Sequence, residues 1–503
     1  MKAPKVCFIS TPSPFLLDER GFPFLGVLKL PPILARNDIA SEVMDLSGLT
    51  NYLEVLAAHA ARTEATHFGI TATTPQFPAA VKIAKKLREV RPDACLILGG
   101  THSTLTVAGT KYEKAQGRDG RAHRAYRQLE EHFDVIVSGD GERTILLALK
   151  PDAPKLIDAD DRKSPLFLRD SDVELESVFP ARELIDLGSY RYFIDGEKAT
   201  SIIAQLGCPY KCGFCAGRAS PMLRNIRTRS AESIIEEMML IYRQWGIRGI
   251  MFYDDELNVS PDMITLMERI AKAGRDHGIE WKLRGFIKSE RFTREQAEAM
   301  LEAGFRQILI GFESGSPRIL ENIQKIATQE DNTRCMDIAR DTGLKVKALM
   351  SLGHPGESEG TIEDTRKWLV DVRPSDFDET VITPYPGSPY FDQAIPVEGS
   401  GSKYVYTCKN GDRLFQEEVN YTLDADYYKG DPEDGYISHV WTPDLSQDDL
   451  VRLRNELETN VRRMLDIPFN PSRASQSYEH SMGQTQLPDW ILRRSNPAPL
   501  AAP

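Results

Sequence analysis

The stretch Gly207-Cys208-Pro209-Tyr210-Lys211-Cys212-Gly213-Phe214-Cys215 holds three of the chain's seven cysteines at a C-x3-C-x2-C spacing. Thiolates are soft ligands suited to iron–sulfur clusters. A short glycine-bearing loop lets three sulfurs converge on one cubane. A four-iron cluster needs four ligands, so three cysteines leave one iron open to a substrate or cofactor. The competing assignment is a structural zinc knuckle. Zinc usually takes a fourth close Cys or His, and the nearest downstream histidine, His277, lies far off in sequence. The other cysteines, Cys7, Cys95, Cys335 and Cys408, are scattered. An odd total with one tight cluster argues for metal-binding thiols rather than a disulfide framework. Cys335 beside Met336 and Ile338 reads as a core residue. Cys408 beside Lys409 is a reactive-thiol candidate set against an inert default.

Around this loop runs a strand–helix rhythm over residues 196–395. Strands are expected at Ile202–Gln205, Ile250–Tyr253, Lys282–Arg284, Gln307–Phe312, Lys345–Met350 and Thr380–Thr383. The helices between them open on caps such as Ser230 and close near Gly246, Gly304 and Gly343. Six such units predict a parallel, partial (β/α)6 barrel, with the cysteine loop on its catalytic face after the first strand. Acidic residues Asp254, Asp255 and Glu256 follow the second strand; a helix N-terminal acidic cluster is the alternative reading. Arg284 ends the third strand and can face substrate or serve as a barrel ion-pair residue.

Residues 1–150 repeat the alternation. Apolar strands at Val6–Ser10, His67–Thr71, Cys95–Leu98 and Val135–Val137 each end in Gly, Ser, Thr or Pro. Ala80, Ile83, Ala84, Leu87 and Val90 recur at helical spacing. This is the pattern of an α/β, doubly wound, Rossmann-like parallel sheet, which binds ligands in the crevice at its carboxyl edge. A dinucleotide fingerprint needs Gly-x-Gly-x-x-Gly straight after a strand; Gly139-x-Gly141 supplies two glycines and comes late. Polar residues 110–132 read as an insertion, 151–195 as a connector, and 396–503 as a small helical and irregular C-terminal region with one helix near Ser446–Leu465 and a mobile tail. Its tyrosines (Tyr404, Tyr406, Tyr421, Tyr427, Tyr428, Tyr436) either cover the barrel mouth or simply pack.

The length of 503 residues predicts two to four domains at about 100–200 residues each. With 62 Lys and Arg against 74 Asp and Glu the formal charge is −12, which disfavours a nucleic-acid clamp. No apolar run approaches the ~20 residues that span a bilayer. The N-terminus lacks the ~7–15-residue apolar stretch of a signal peptide. A soluble, cytoplasmic protein with no membrane partner is expected.

The cysteine loop, with Phe214 in the aromatic position of C-x3-C-x-aromatic-C, resembles that of radical S-adenosylmethionine (SAM) enzymes. The resemblance implies a 4Fe-4S cluster on Cys208, Cys212 and Cys215, whose open iron chelates SAM. It places Phe214, Asp254, Asp255, Glu256, Glu313, Ser314 and Gly353 at the SAM site: the acids toward the methionine ammonium, Glu313 on the ribose, and Gly353 at the adenine edge. Tyr385, in Pro384-Tyr385-Pro386-Gly387, and Arg284 are the substrate-side catalytic candidates. Arg227 and Arg229 read as structural anchors.

The preceding domain makes the chain similar to the cobalamin-binding branch of that family, the class B methyltransferase-like group. The similarity runs from residue 4 to about 465, including Tyr427-Tyr428-Lys429-Gly430. It is carried by Gly69-Ile70-Thr71-Ala72-Thr73-Thr74, Leu98-Gly99-Gly100-Thr101-His102 and Val137-Ser138-Gly139-Asp140-Gly141-Glu142. It implies cobalamin contacts from Thr71, Thr73, Thr74, Gly100, Thr101, His102, Gly139, Gly141 and Glu142. None of the nine histidines sits in the Asp-x-His-x-x-Gly cobalt-ligand motif, so no motif histidine on cobalt is expected. For His102 a loop-surface position is the alternative. The implied activity is methylation of an unactivated carbon of a small molecule through a 5′-deoxyadenosyl radical and methylcobalamin. Electrons come from an external flavodoxin- or ferredoxin-type donor. Cyclisation, ring rearrangement or P-methylation is the alternative chemistry. A non-catalytic corrinoid or redox-sensing protein is the alternative class.

Overall fold

The computed structural model describes residues 4–13, 16, 19–172, 178–423 and 436–468. The first sheet has six parallel strands: β1 (Lys5–Ser10), β2 (Ala40–Asp45), β3 (His67–Thr71), β4 (Cys95–Gly99), β5 (Val135–Ser138) and β6 (Leu156–Asp158), in the order β2-β1-β3-β4-β5-β6. Helices cover both faces, so β1 is apolar from Val6 to Ile9: Cys7 and Ile9 enter one core, Val6 and Phe8 the other. The order reverses at β1, and the carboxyl ends of β1, β3, β4 and β5 open toward the second domain.

Residues 110–132 are no insertion. The helices Thr101–Ala115 and Arg121–His132 pack as a hairpin of this domain. The Glu113 carboxylate accepts the amides of Gly120, Ala122 and His123 at 3.1, 3.0 and 2.9 Å, which caps the second helix from the first. Three apolar positions, Ala122, Ala125 and Leu129, were enough to bury that helix's inner face.

The second sheet runs β15-β14-β13-β12-β11-β8-β7. β7 (Tyr192–Ile194) is antiparallel to β8 (Glu197–Ile202). β9 (Gln205–Leu206) and β10 (Arg227–Thr228) form a separate antiparallel ribbon flanking the cysteine loop. Parallel pairing continues through β11 (Gly249–Phe252), β12 (Lys282–Phe286), β13 (Phe305–Glu313), β14 (Lys345–Leu352) and β15 (Asp376–Val381). This is a curled, open six-strand half-barrel with one added edge strand. The first and last barrel strands begin four or five residues before their expected positions. Their early residues, such as Glu197, Lys198, Asp376 and Asp378, are polar and hide the strand pattern. Lys347, fully buried, pairs with Asp376 at 2.7 Å and Asp378 at 2.9 Å inside the barrel.

The supposed connector feeds both sheets, since β6 and β7 both lie within 151–195. The C-terminal region is more regular than expected. It adds an antiparallel sheet of β16 (Ile395–Pro396), β17 (Lys403–Thr407), β18 (Arg413–Glu417) and β19 (Val440–Trp441). The helix Gln447–Leu465 begins at Ser446 with a reciprocal cap to Asp449. Arg454 and Arg462 of this helix donate to the carbonyls of Glu379 (2.8 Å) and Phe377 (2.7 Å), so it closes the outer face of β15. The segment Tyr427–Gly430, the connector residues 173–177 and the tail from 469 lie outside the described residues. Among the described residues no helix is long and apolar enough to cross a membrane.

Candidate active site at the interface of the two sheets

The cysteine loop leaves β9 through Gly207, whose φ is +87°. A Cβ there would lie 2.1 Å from the Asn225 carbonyl oxygen, so the close return of the loop requires glycine. Backbone bonds hold the loop: Cys208 N to Leu223 O (2.9 Å), Gly213 N to Ile323 O (2.7 Å) and Tyr390 N to Gly213 O (3.1 Å). Gly213 lies flat on the Tyr390 ring, where a Cβ would come within 2.8 Å. Phe214 packs on Ile319, Leu320 and Ile323 and meets the His354 ring edge-on at 5.5 Å.

The three sulfurs are reduced. Burial pushes the Cys208 thiol up to about 11 and Cys215 up to about 12. Thiols held protonated in this way deprotonate when they take a metal. The sulfurs do not all lie within 4.8 Å of one another. Tetrahedral zinc with ~2.3 Å bonds draws its sulfurs to about 3.8 Å apart. The wider spread suits a multi-iron core and disfavours the zinc knuckle.

The acidic group divides. Asp254 is buried, and its carboxylate accepts the Gln205 amide beneath the loop; burial raises its pKa to about 8. One oxygen anchors the loop, and the other, Oδ2, is buried without a hydrogen-bond partner. Asp255 is exposed beside the Gly207 amide. Glu256 stands near Lys325 and Lys288, with its pKa raised by burial to about 7.

Glu313 ends β13 at φ +68°, where the register to β14 slips. A non-glycine residue held there is strained, a feature that concentrates at functional sites. Its carboxylate accepts from Ser351 Oγ at 2.9 Å and pairs with Lys325 at 3.3 Å. Ser351 also touches His354 Nε2 at 2.8 Å. Phe214, Cys215, Glu313, Ser351 and Tyr385 line one cavity of about 370 Å3. Lys325, Ser351 and His354 were not anticipated from the sequence; a Lys twelve residues after Glu313 carries no local motif.

Two expected SAM-site residues point elsewhere. Ser314 is buried against Thr365, Oγ to Oγ at 3.0 Å. Gly353, at φ +86°, packs below Val440 and Val381. Of the substrate-side candidates, Tyr385 lines the cavity with its phenol buried and its pKa pushed up by burial. Arg284 is buried inside the barrel and donates to the Tyr192 hydroxyl, a neutral partner rather than a carboxylate.

A second cavity, of about 310 Å3, occupies the carboxyl edge of the first sheet. Thr71, Gly100, Thr101, Gly139, Gly141 and Glu142 line it, as expected. Gly99 also lines it, and a Cβ on Gly99 would meet nothing within 4 Å, so glycine there leaves open space for a ligand. Its other wall comes from the barrel domain: Ile203 and Leu206 before the cysteine loop, Met222 and Leu223 after it. The first-sheet side mixes hydroxyls and carboxylates (Thr71, Thr101, Thr104, Glu142) with apolar Phe8, Ile70, Ile97 and Val137, and the roof is apolar; a mainly apolar pocket with a few polar groups suits an organic cofactor.

Three expected contacts fall outside this cavity. Thr73 caps the turn Thr74–Gln76. Thr74 bonds His102 Nδ1 at 3.1 Å. His102 is fully buried, stacked 4.3 Å from Phe77 and edge-on to Tyr421, and burial lowers its pKa to about 3. It is a core histidine, neither a surface imidazole nor a lining group.

Ion pairs lock the two domains around the cavities. Arg227 of β10 meets Asp140 at 2.5 Å, and Asp160 accepts from Ser220 Oγ (2.9 Å) and Met222 N (2.7 Å). Arg229 reaches the Ile203 carbonyl and Glu237. Both arginines are anchors. Arg121 lies over the Phe391 ring at 3.7 Å and donates to the Phe391 carbonyl and Gln416 at 2.7 Å. The C-terminal tyrosines pack: Tyr404, Tyr406, Tyr421 and Tyr436 are all buried. Cys335 is a core residue, and Cys408 is buried with its thiol pushed up to about 11.

The Radical SAM superfamily model matches residues 202–369. An uncharacterised methyltransferase of Pyrococcus horikoshii is 28% identical over 65% of this chain and 69% of its own length. An anaerobic magnesium-protoporphyrin IX monomethyl ester cyclase of Cereibacter sphaeroides is 22% identical over 69% of this chain and 56% of its own length. The structure of the radical SAM methyltransferase TsrM from Kitasatospora setae, with cobalamin and a [4Fe-4S] cluster bound, superposes with a TM-score of 0.63 at 16% identity, covering 91% of both chains. The cobalamin-dependent radical SAM enzyme OxsB gives 0.57 at 16% identity, over 76% of this chain and 53% of that one. Residues 202–369 thus match the Radical SAM superfamily, and the chain shares its two-domain fold with the cobalamin-dependent enzymes TsrM and OxsB.

Proposed function

We propose that this protein is a cobalamin-dependent radical SAM methyltransferase that methylates an unactivated carbon of a small molecule. The observation that carries the reading is the shared wall: the segments on either side of the cysteine loop roof the crevice of the first sheet. Cys208, Cys212 and Cys215 would hold the cluster, Glu313 with Ser351 and the 370 Å3 cavity would take SAM, and the Thr71–Gly100–Gly139 crevice would take the corrinoid. When bound, the cluster and SAM supply a carbon-centred radical oxidant, and the corrinoid supplies a methyl group to a carbon that has no lone pair for ordinary alkylation.

The chain's own residues do the remaining work. Lys325 and Ser351 fix the Glu313 carboxylate so that it accepts hydroxyl donors in one orientation. Asp254 stiffens the root of the loop. Asp255 and Glu256, whose carboxyls burial holds above the usual range, would ionise against a ligand ammonium placed beside them. Ile203, Leu206, Met222 and Leu223 exclude water between the two cavities. An external one-electron donor of flavodoxin or ferredoxin type belongs to this reading, since no chain residue supplies that electron.

Anaerobic reconstitution with iron, sulfide and hydroxocobalamin, followed by methyl-labelled SAM, tests it. Deoxyadenosine together with S-adenosylhomocysteine is the expected outcome. Deoxyadenosine alone would support a cyclisation or rearrangement, the reading favoured by the 22% identity to the anaerobic cyclase. Neither product would overturn both and leave a non-catalytic corrinoid protein.

A further inference from the structure

We propose that Cys7, Glu42 and His59 form a second metal site, for a zinc-class divalent cation, on the outer edge of the N-terminal sheet. Among the described residues this is the group whose three ligating atoms all lie within 4.8 Å of one another, a spacing the cluster cysteines do not share. Cys7 and Glu42 are register partners on the parallel strands β1 and β2, so both side chains leave the sheet on the same face. His59 lies in the last turn of the helix Tyr52–Ala60, which covers that face. Its Nε2 stands 3.0 Å from Glu42 Oε1.

The burial is graded as a metal site needs. The Cys7 side chain is fully buried, while those of Glu42 and His59 are 27% and 34% exposed. The metal would sit between a buried sulfur and two ligands that reach solvent, with water in the fourth position. Outer partners already hold the carboxylate: Thr63 donates to Oε1, and Lys5 lies 3.7 Å from Oε2. Such contacts orient a ligating carboxylate. Sulfur, imidazole and carboxylate together suit zinc rather than calcium or magnesium.

Tetrahedral bonds of ~2.0–2.3 Å place ligand atoms about 3.3–3.8 Å apart, so atoms now within 4.8 Å of one another need to close by at most about 1.5 Å, while the His59–Glu42 pair, at 3.0 Å, opens slightly. Binding would break the Cys7 S–H bond, form the sulfur–metal bond and release one proton to solvent. The site lies in the first half of β1, whereas the crevice opens at the carboxyl ends. Its role is therefore a clip, tying the edge strand β2 and its neighbour β1 to the helix that covers them.

The test is cobalt(II) titration of the full-length chain carrying C208A, C212A and C215A, which removes the competing thiols. One cobalt per chain, with a thiolate-to-cobalt charge-transfer band, is expected. Adding C7A should abolish the band, and adding H59A should weaken binding at least about tenfold. Absence of the band, or its persistence with C7A, would overturn the site and leave Glu42 as a carboxylate satisfied by hydrogen bonds alone. If the triple variant fails to fold, zinc analysis of the reconstituted holoenzyme decides. One zinc per chain, lost in C7A, supports the site; equal zinc in both contradicts it.

Discussion

Replacing Gly207 with Ala isolates what the geometry of the cysteine loop demands. At φ +87° a residue with a Cβ costs about 1–2 kcal/mol. The added carbon would sit 2.1 Å from the Asn225 carbonyl oxygen, a backbone atom that no side-chain rotation can move away. Relieving the overlap adds about 1–3 kcal/mol. The closed loop is then disfavoured by about 2–5 kcal/mol, between roughly thirtyfold and a few thousandfold in population. The corrinoid crevice floor lies in the other domain and is untouched. After anaerobic reconstitution, G207A should hold less than about a quarter of the wild-type iron, while hydroxocobalamin binding, followed by absorbance, falls less, since only the roof residues Leu206 and Leu223 adjoin the turn. Gly217→Ala is the comparison: its Cβ would meet only side-chain atoms, 3.3 Å from Leu223 Cβ and 3.9 Å from Cys215 Sγ, so iron loading should fall far less than in G207A. Full iron in G207A, or equal loss in both variants, would refute the argument that the loop's path requires glycine at 207.

Other outcomes follow from the same structure. A Cβ at position 99 meets nothing within 4 Å, so Gly99→Ala adds bulk to the crevice without displacing protein atoms. Corrinoid binding should fall several-fold with iron content and melting temperature unchanged; a large drop in melting temperature would contradict this. Arg227→Ala leaves Asp140 buried without its partner, and should cost up to about 3–5 kcal/mol of unfolding free energy in denaturant titration; a change under 1 kcal/mol () would show the pair is not a lock between domains. Asp392 has its pKa raised by burial to about 7, so between the ordinary carboxylate range and pH 7 the folded state holds a proton that the unfolded state lacks. Wild-type stability should therefore fall as pH rises through that window, by on the order of 1 kcal/mol per pH unit, and the slope should flatten in Asp392→Asn. An unchanged slope would exclude Asp392 as its source.

The domains were legible because both rest on strong periodic signals. Buried parallel strands such as Cys95–Gly99 are short apolar runs with glycine at the carboxyl end, and the barrel helices carry caps at Ser230 and αL glycines at 246, 304 and 343. The cysteine spacing was equally plain, whereas the demand for glycine at 207 came only from the close approach of Asn225. Less legible were elements held by tertiary contacts. The hairpin helix Arg121–His132 is polar on all but one narrow face, and the β16–β19 sheet is made of strands of two to five residues. Within the site, motif position did not report orientation. Ser314 and Glu313 are neighbours, yet the strained φ at 313 turns one toward the cavity and leaves the other bonded to Thr365. His102 sits in a glycine-rich motif and still points into the core, because Phe77 and Tyr421, distant in sequence, enclose it.

The central claim is that Cys208, Cys212 and Cys215 bind a four-iron cluster with one iron left for SAM. Electron paramagnetic resonance of the reduced, reconstituted protein measures this directly, with and without SAM labelled with nitrogen-15 at its amino group. The account predicts a cluster signal that shifts on adding SAM and carries hyperfine coupling from the labelled nitrogen, all of it lost in C212A. A signal indifferent to SAM, or one that survives in C212A, would contradict it.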